Sequence, residues 1–376
     1  MRCKGRYIFS GEMMELEFDR AIAHSEPVLE AASEEPETWL APGFIDLQIN
    51  GVLRDFAGVD YNSPTASPEA IAASLDSLFA TGVTRIFPTV ITASPEAMLG
   101  ALANLARVRE TIARGAAIEA FHIEGPHISP EDGPRGAHPA RWVRPPDVAE
   151  YRRWQDAANG AVRLVTLSPE WPEAPSYIQQ LVGDGVAAAI GHTAATPAQI
   201  QEAVRAGATL STHLGNAGHP TLPRHRNYLW EQLADDRLAA SFIVDDVHLP
   251  DAFLRVALRA KGIERSILIT DAVGPSLGEV ELEHREDRVV LKGGSRLAGS
   301  NLRMDAAISN AVRRLGIGLR DAVAMATINP ARAGRVAARL RGLQPGDRAD
   351  IVKFRFDGGR LQVLETYLSG ERVFPR

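Results

Sequence analysis

Eight short apolar runs, at residues 43–48, 83–90, 118–124, 162–168, 186–192, 208–214, 240–246 and 266–271, alternate with longer helical stretches through the middle of the chain. Parallel strands need a crossover of a dozen or more residues, and a helix in each crossover gives a βαβ unit. Ser67 to Ala80, Thr196 to Ala206 and Pro250 to Lys261 read as such helices. Pro68 and Pro197 fall in a first turn, where the missing N–H has no partner to lose, each behind a Ser or Thr cap. Eight such units predict, by count, an α/β fold closed into a (β/α)8 TIM-type barrel. An open doubly wound sheet would carry a Gly-rich phosphate loop after its first strand, and this chain has none there.

The two ends read differently. Met13-Met14-Glu15-Leu16-Glu17-Phe18 alternates with period two, as do the runs beginning at Ala349, Leu361 and Glu371, and Gly358-Gly359 marks a hairpin turn. We therefore expect a small β-sandwich domain assembled from residues 1–41 and 342–376, around a barrel spanning 42–341. A chain of 376 residues accommodates one large and one smaller unit. The formal charge of −6 excludes a nucleic-acid surface, which requires clustered Lys and Arg. Cys3 is the single cysteine, so no internal disulfide and no thiolate metal site can form. No run reaches the roughly 18 apolar residues of a membrane span, and the amino-terminal residues lack the apolar stretch of a signal peptide. The expected compartment is the cytoplasm.

Polar groups stand where the apolar runs stop. Glu124 ends the third, His192 the fifth, His213 the sixth and Asp271 the eighth. Each alone has a bland reading: a satisfied structural histidine, a helix cap, an arginine partner. Their recurrence at equivalent points of successive units favours a joint site, because the carboxyl ends of barrel strands converge on one mouth. Two imidazoles and a carboxylate suit a divalent ion such as zinc with one position left open.

These residues lie in motifs that resemble the amidohydrolase superfamily and, within it, the N-acetylglucosamine-6-phosphate deacetylases. The resemblance rests on Pro42-Gly43-Phe44-Ile45-Asp46, His122-Ile123-Glu124-Gly125-Pro126, Gly191-His192-Thr193, Thr212-His213-Leu214-Gly215-Asn216-Ala217, Thr270-Asp271-Ala272 and Leu297-Ala298-Gly299-Ser300-Asn301-Leu302-Arg303-Met304. It implies an enzyme in which Glu124, His192 and His213 hold one divalent metal ion per subunit, with zinc expected. Asp271 would be the catalytic acid and base, and His248 would help stabilise the oxyanion. Gln48-Ile49-Asn50 stands where the superfamily often has the His-x-His pair of a second metal, and amides are poor ligands for such an ion. A mononuclear site is therefore expected.

The resemblance further implies substrate contacts from His138, Asn216, Ala217, Leu302, Gln48 and Asn50, with Arg224 or Arg226 offering a guanidinium to a sugar phosphate. The loop carrying those arginines departs from the family pattern, and a solvated basic loop is the competing reading. Asp246 replaces the glycine usual in the family's Asp-Gly-x-His segment, placing an extra carboxylate near the mouth, and the role of His127 stays open. His122 alternates with Glu124 and is expected to orient a neighbour. The expected substrate is a small amino sugar, N-acetylglucosamine 6-phosphate first, and the expected assembly a homodimer. The alternatives are an unphosphorylated N-acetyl sugar or other N-acyl compound, a cyclic-amide hydrolase, and a silent sugar-binding homologue.

Overall fold

The computed structural model describes residues 1–29, 37–54, 57–336 and 342–375. Eight parallel strands form one sheet, in chain order: β1 Phe44–Ile49, β2 Val83–Ile91, β3 Phe121–Glu124, β4 Val162–Leu167, β5 Ala187–Ile190, β6 Leu210–Ser211, β7 Ala239–Phe242 and β8 Ser266–Leu268. The sheet closes where the chain leaving β8 meets β1. Asp271 N–H donates to the Gln48 carbonyl at 2.9 Å and Asn50 N–H to the Ala272 carbonyl at 2.8 Å. All nine residues of β2 are buried, the mark of a strand covered on both faces.

The helices start where the sequence says they should. Ser67 caps Pro68–Phe79 by accepting from Ala70 N–H. Thr196 and Gln199 cap each other reciprocally at the start of Pro197–Ala206, which turns Ile200, Ala203 and Val204 to the core. Asp251–Lys261 is the third of the expected helices. Six strands are shorter than their apolar runs. Past the ends of β5, β6, β7 and β8, His192, His213, Asp246 and Asp271 turn to φ of 48°, 30°, 77° and 50°, outside extended backbone.

Both ends of the chain build a second, seven-stranded sheet from Arg2–Tyr7, Met13–Phe18, Ile22–Pro27, Trp39–Pro42, Ile351–Asp357, Arg360–Leu368 and Glu371–Phe374. Gly358 and Gly359, at φ 56° and 77°, make the two-residue turn between the two longest strands, which suits the twist of a hairpin. Phe18 and Tyr367 lie on strands four places apart, yet their rings meet edge-on at 5.1 Å. A flat sheet would separate them by about 19 Å. The sheet thus folds over on itself around Cys3, Leu16, Ile22, Leu40 and Ile351. No described helix is long and apolar enough to cross a membrane.

A buried ion pair fastens this sheet to the barrel. Arg85 of β2 is 1% exposed, Asp350 is fully buried, and Arg85 Nη2 lies 2.6 Å from Asp350 Oδ2. Burial lowers the Arg85 pKa to about 10, which leaves it charged at neutral pH. Removing Asp350 leaves the buried Arg85 with the more distant Glu119, at 3.6 Å, to balance its charge. Asp350→Ala should therefore destabilise the protein by about 3–5 kcal/mol in chemical denaturation, and a loss below 1 kcal/mol would show the pair to be incidental.

Candidate metal centre

The four polar strand-end residues converge at the carboxyl mouth of the barrel. Glu124 Oε1 lies 3.1 Å from His192 Nε2 and 2.9 Å from His213 Nε2, and the two imidazole nitrogens are 3.1 Å apart. The three side chains are buried, and among the described residues they are the one group of this kind with the spacing of metal ligands. Donors around a tetrahedral zinc, at about 2.0–2.1 Å from it, stand about 3.3 Å from one another. The donor chemistry also fits. His192 Nδ1 donates to the Pro134 carbonyl at 3.0 Å, so Nε2 keeps its lone pair facing the other two donors. Burial raises the pKa of Glu124, but hydrogen bonds with His192 and His213 outweigh it and hold the carboxyl well below its usual range. Burial lowers that of His213, and the same carboxylate brings it above its ordinary value.

Backbone shape aims these groups. His192, His213 and Asp271 all occupy left-handed conformations that non-glycine residues rarely adopt, at roughly 1–3 kcal/mol each. The chain turns sharply off the end of each strand there, and the side chains point to the barrel axis rather than alternating across the sheet. Gly136 leans on the result. At φ 60°, a Cβ on it would lie 3.0 Å from His192 Cε1, so the loop after β3 packs directly on that imidazole.

Asp271 stands beside the donors without joining them. Asn50 Nδ2 donates to its Oδ1 at 2.7 Å, and Gln48 Nε2 bridges that oxygen at 3.3 Å and Glu124 Oε1 at 2.9 Å. Oδ2 has no partner among the described residues and is free to carry a proton. Burial, then the charge of Glu124, raises the Asp271 carboxyl to about 6, near the range where a base works at neutral pH. Thr270 donates to Asp46 Oδ2 at 2.5 Å and holds the segment from below.

A cavity of about 480 Å³ opens over this group, walled by Asn50, His138, Asn216, Ala217 and His248 among others. His138 Nδ1 meets Thr92 Oγ1 at 2.8 Å, and burial, then the neighbouring His192, lowers its pKa to about 3, so its ring is neutral. His248 Nδ1 lies 2.6 Å from Asp245 Oδ2, which leaves Nε2 as its atom for the cavity. Asn50 Oδ1 and Asn216 Nδ2 are buried without partners among the described residues, an arrangement that wants a polar ligand.

Other expected contacts lie elsewhere. Gln48 is 2% exposed and spends its amide on two carboxylates rather than on the cavity wall. Leu302 faces a neighbouring apolar cavity with Ile49, Ala272 and Met304. Arg224 and Arg226 are exposed and off the wall. Their loop is held outward, with Asn227 capping the next helix and Trp230 Nε1 donating to the Arg224 carbonyl at 3.3 Å. Asp246 is paired with Arg314 and does not line the mouth. His127 is fully buried between the Trp154 and Tyr177 rings, a core residue. His122 meets Thr166 Oγ1 at 2.7 Å, and Thr166 meets Thr212, the neighbour of His213, also at 2.7 Å. Sequence reasoning missed Asp132 and Arg296, both on the cavity wall, because 164 residues separate them and neither stands in a local pattern.

Comparison with known proteins agrees with this geometry. Residues 39–373 match the profile of the amidohydrolase family. The N-acetylglucosamine-6-phosphate deacetylase of Bos taurus is 33% identical, over 89% of this chain and 83% of that one. The N-acetylgalactosamine-6-phosphate deacetylase of Escherichia coli O157:H7 is 31% identical, over 94% and 92%. The structure of a mutant N-acetyl-D-glucosamine-6-phosphate deacetylase from Mycobacterium smegmatis, in complex with N-acetyl-D-glucosamine-6-phosphate, superimposes with a TM-score of 0.87 at 31% identity, covering 99% of both chains. The eight-stranded barrel, the buried Glu124, His192 and His213 with Asp271 beside them, and these likenesses give one conclusion: the chain is an enzyme of the amidohydrolase family, a member of its N-acetylglucosamine-6-phosphate deacetylase branch.

Proposed function

We propose that this enzyme hydrolyses the acetamide of an N-acetylated amino sugar, releasing acetate from N-acetylglucosamine 6-phosphate, with one zinc ion held by Glu124, His192 and His213. The observation that carries this reading is the meeting of three lone-pair donors with an unpaired aspartate oxygen beside them. When bound, such a cation polarises a carbonyl and lowers the pKa of water from about 16 to about 7. Asp271 Oδ2 accepts the proton of the attacking water and returns it to the departing nitrogen, because an amine leaves poorly unless protonated. Asn50 and Gln48 hold Oδ1, so the carboxylate cannot swing away from that task. His248, whose Nδ1 donates to Asp245, would donate to the carbonyl oxygen through Nε2–H, with both ring nitrogens protonated, as charge develops there. Asn216, Ala217 and His138 line the space left for the sugar. Gln48 and Asn50 in place of imidazoles support a single ion, since an amide already committed to a carboxylate is a weak ligand.

The Escherichia coli relative acts on the galactosamine epimer by name, so both epimers belong in the substrate panel. We further propose a homodimer working in the cytoplasm, in keeping with the family resemblance; light scattering of the purified protein reads the assembly, and a monomer at micromolar concentration would contradict it.

Three experiments test the chemistry. Acetate release from N-acetylglucosamine 6-phosphate should exceed that from N-acetylglucosamine, and Asp271→Asn should cut kcat by about 10²–10⁴-fold while the protein keeps its metal. Turnover confined to unphosphorylated sugars or to other amides would sink the substrate assignment. Removal of metal with a chelator should abolish turnover, and one equivalent of zinc per chain should restore it. A requirement for two equivalents would contradict the mononuclear reading.

A further inference from the structure

The interior of a barrel of this kind is ordinarily filled by layers of branched apolar side chains. In this chain the layer just below the metal donors, one or two residues earlier along the strands, is polar. Thr89 of β2, His122 of β3 and Thr166 of β4 are buried, as is Thr212, which follows β6. They form one ladder. His122 Nδ1 lies 3.4 Å from Thr89 Oγ1, His122 Nε2 lies 2.7 Å from Thr166 Oγ1, and Thr166 Oγ1 lies 2.7 Å from Thr212 Oγ1. The ladder passes β5 without a member there, and Gly191 makes that possible. A Cβ on Gly191 would lie 2.7 Å from Thr166 Cγ2 and 3.0 Å from Thr212 Cβ, so a side chain would part the two threonines.

The hydrogens of the ladder run one way. Thr89 donates its hydroxyl to the Phe87 carbonyl at 3.2 Å and accepts from Ile49 N–H at 3.1 Å. Burial lowers the His122 pKa to about 4, so its ring is neutral and holds one N–H. With the Thr89 hydrogen spent, Nδ1 meets that oxygen only as a donor, and Nε2 accepts from Thr166. Thr166 in turn accepts from Thr212.

The two ends of the ladder are joined to the site. His122 stands two residues before Glu124 on one strand, so both side chains face the barrel interior. Thr212 immediately precedes His213. Ile49 lies between Gln48 and Asn50, which hold Asp271. Apolar groups of the same shape would pack here at little or no cost in stability, because a buried hydrogen bond contributes little net over such a replacement. What apolar packing lacks is direction, whereas hydrogen bonds fix both spacing and angle.

On the reading of Glu124, His192 and His213 as the ligands of one zinc ion, we infer that His122, Thr166 and Thr212 are positioning residues that set the spacing between Glu124 on β3 and His213 after β6, and through it the affinity of the site for the ion.

Zinc binding to the stripped protein, measured by competition with a chromophoric chelator, tests this without turnover. Thr166→Val, close in shape, should weaken zinc binding about tenfold, the low end of what groups supporting a metal ligand contribute. Thr166→Ser keeps the hydroxyl and should restore most of that loss. Thr212→Val should weaken binding likewise, and the double valine variant should lose about as much as either alone, since both break one ladder. Should Thr166→Val fail to fold, Thr212→Val against Thr212→Ser makes the same comparison. Losses that add, serine variants as weak as the valine ones, or valine variants that bind zinc like the wild type while unfolding more easily would overturn the role and leave the ladder a packing feature. A wild type that takes up no zinc would overturn the metal centre and the ladder's role with it. Failure of the sugar reading is separate: zinc-loaded wild type would release no acetate from any N-acetyl sugar while the differences in zinc affinity stood.

Discussion

Three lone-pair donors meet within 3.1 Å of one another in a buried site, and much of the surrounding structure serves to keep them there. One carboxylate oxygen and two imidazole nitrogens crowded together gain nothing from proximity unless positive charge lies between them, as a proton or as a cation. The surroundings favour the cation. His192 is fixed by Pro134 in the tautomer that points a lone pair inward, and Gln48 donates to the same Glu124 oxygen that faces the imidazoles. The barrel supplies the convergence itself, since its strand ends share one mouth. Closure between β8 and β1 then brings Asp271 against Gln48 and Asn50 as a matter of sheet geometry.

Local strain and global rigidity work together in this arrangement. The left-handed turns at His192, His213 and Asp271 are individually unfavourable, and such residues persist only where packing overdetermines them. Here the packing is a strand layer buried on both faces, with the terminal sheet locked beneath it by Arg85 and Asp350. A tightly packed core transmits small displacements, so groups far from the chemistry still influence where the donors stand. The loop after β3 shows the same dependence at the mouth. It contributes the Pro134 carbonyl, the Gly136 contact and Asp132, and the chain beyond β8 meets it through Arg296.

Most of the fold and the centre of the site were legible in the sequence because both follow from period and position. Eight apolar runs with helices between them dictate the barrel, and a ligating residue at the end of a run is visible without knowing its neighbours. The hairpin at Gly358-Gly359 was legible for a similar local reason, two glycines free to take positive φ. What the pattern could not carry were pairings over long separations. Asp246 read as an extra carboxylate at the mouth, yet Arg314, 68 residues away, draws it aside. Gln48 read as a substrate contact, yet its amide is consumed by Glu124 and Asp271. Arg224 and Arg226 suggested an anion site through the family resemblance, whereas local capping at Asn227 turns their loop to solvent. Asp132 and Arg296 are ordinary surface residues until the fold sets them side by side.

X-ray absorption at the zinc edge of the loaded protein tests the central claim most directly. The account predicts a zinc coordinated by two imidazole nitrogens and one carboxylate oxygen from the protein, at about 2.0–2.2 Å, with the imidazole scattering diminished in His192→Ala and in His213→Ala. A zinc whose coordination is unchanged in both variants would place the ion elsewhere and contradict it.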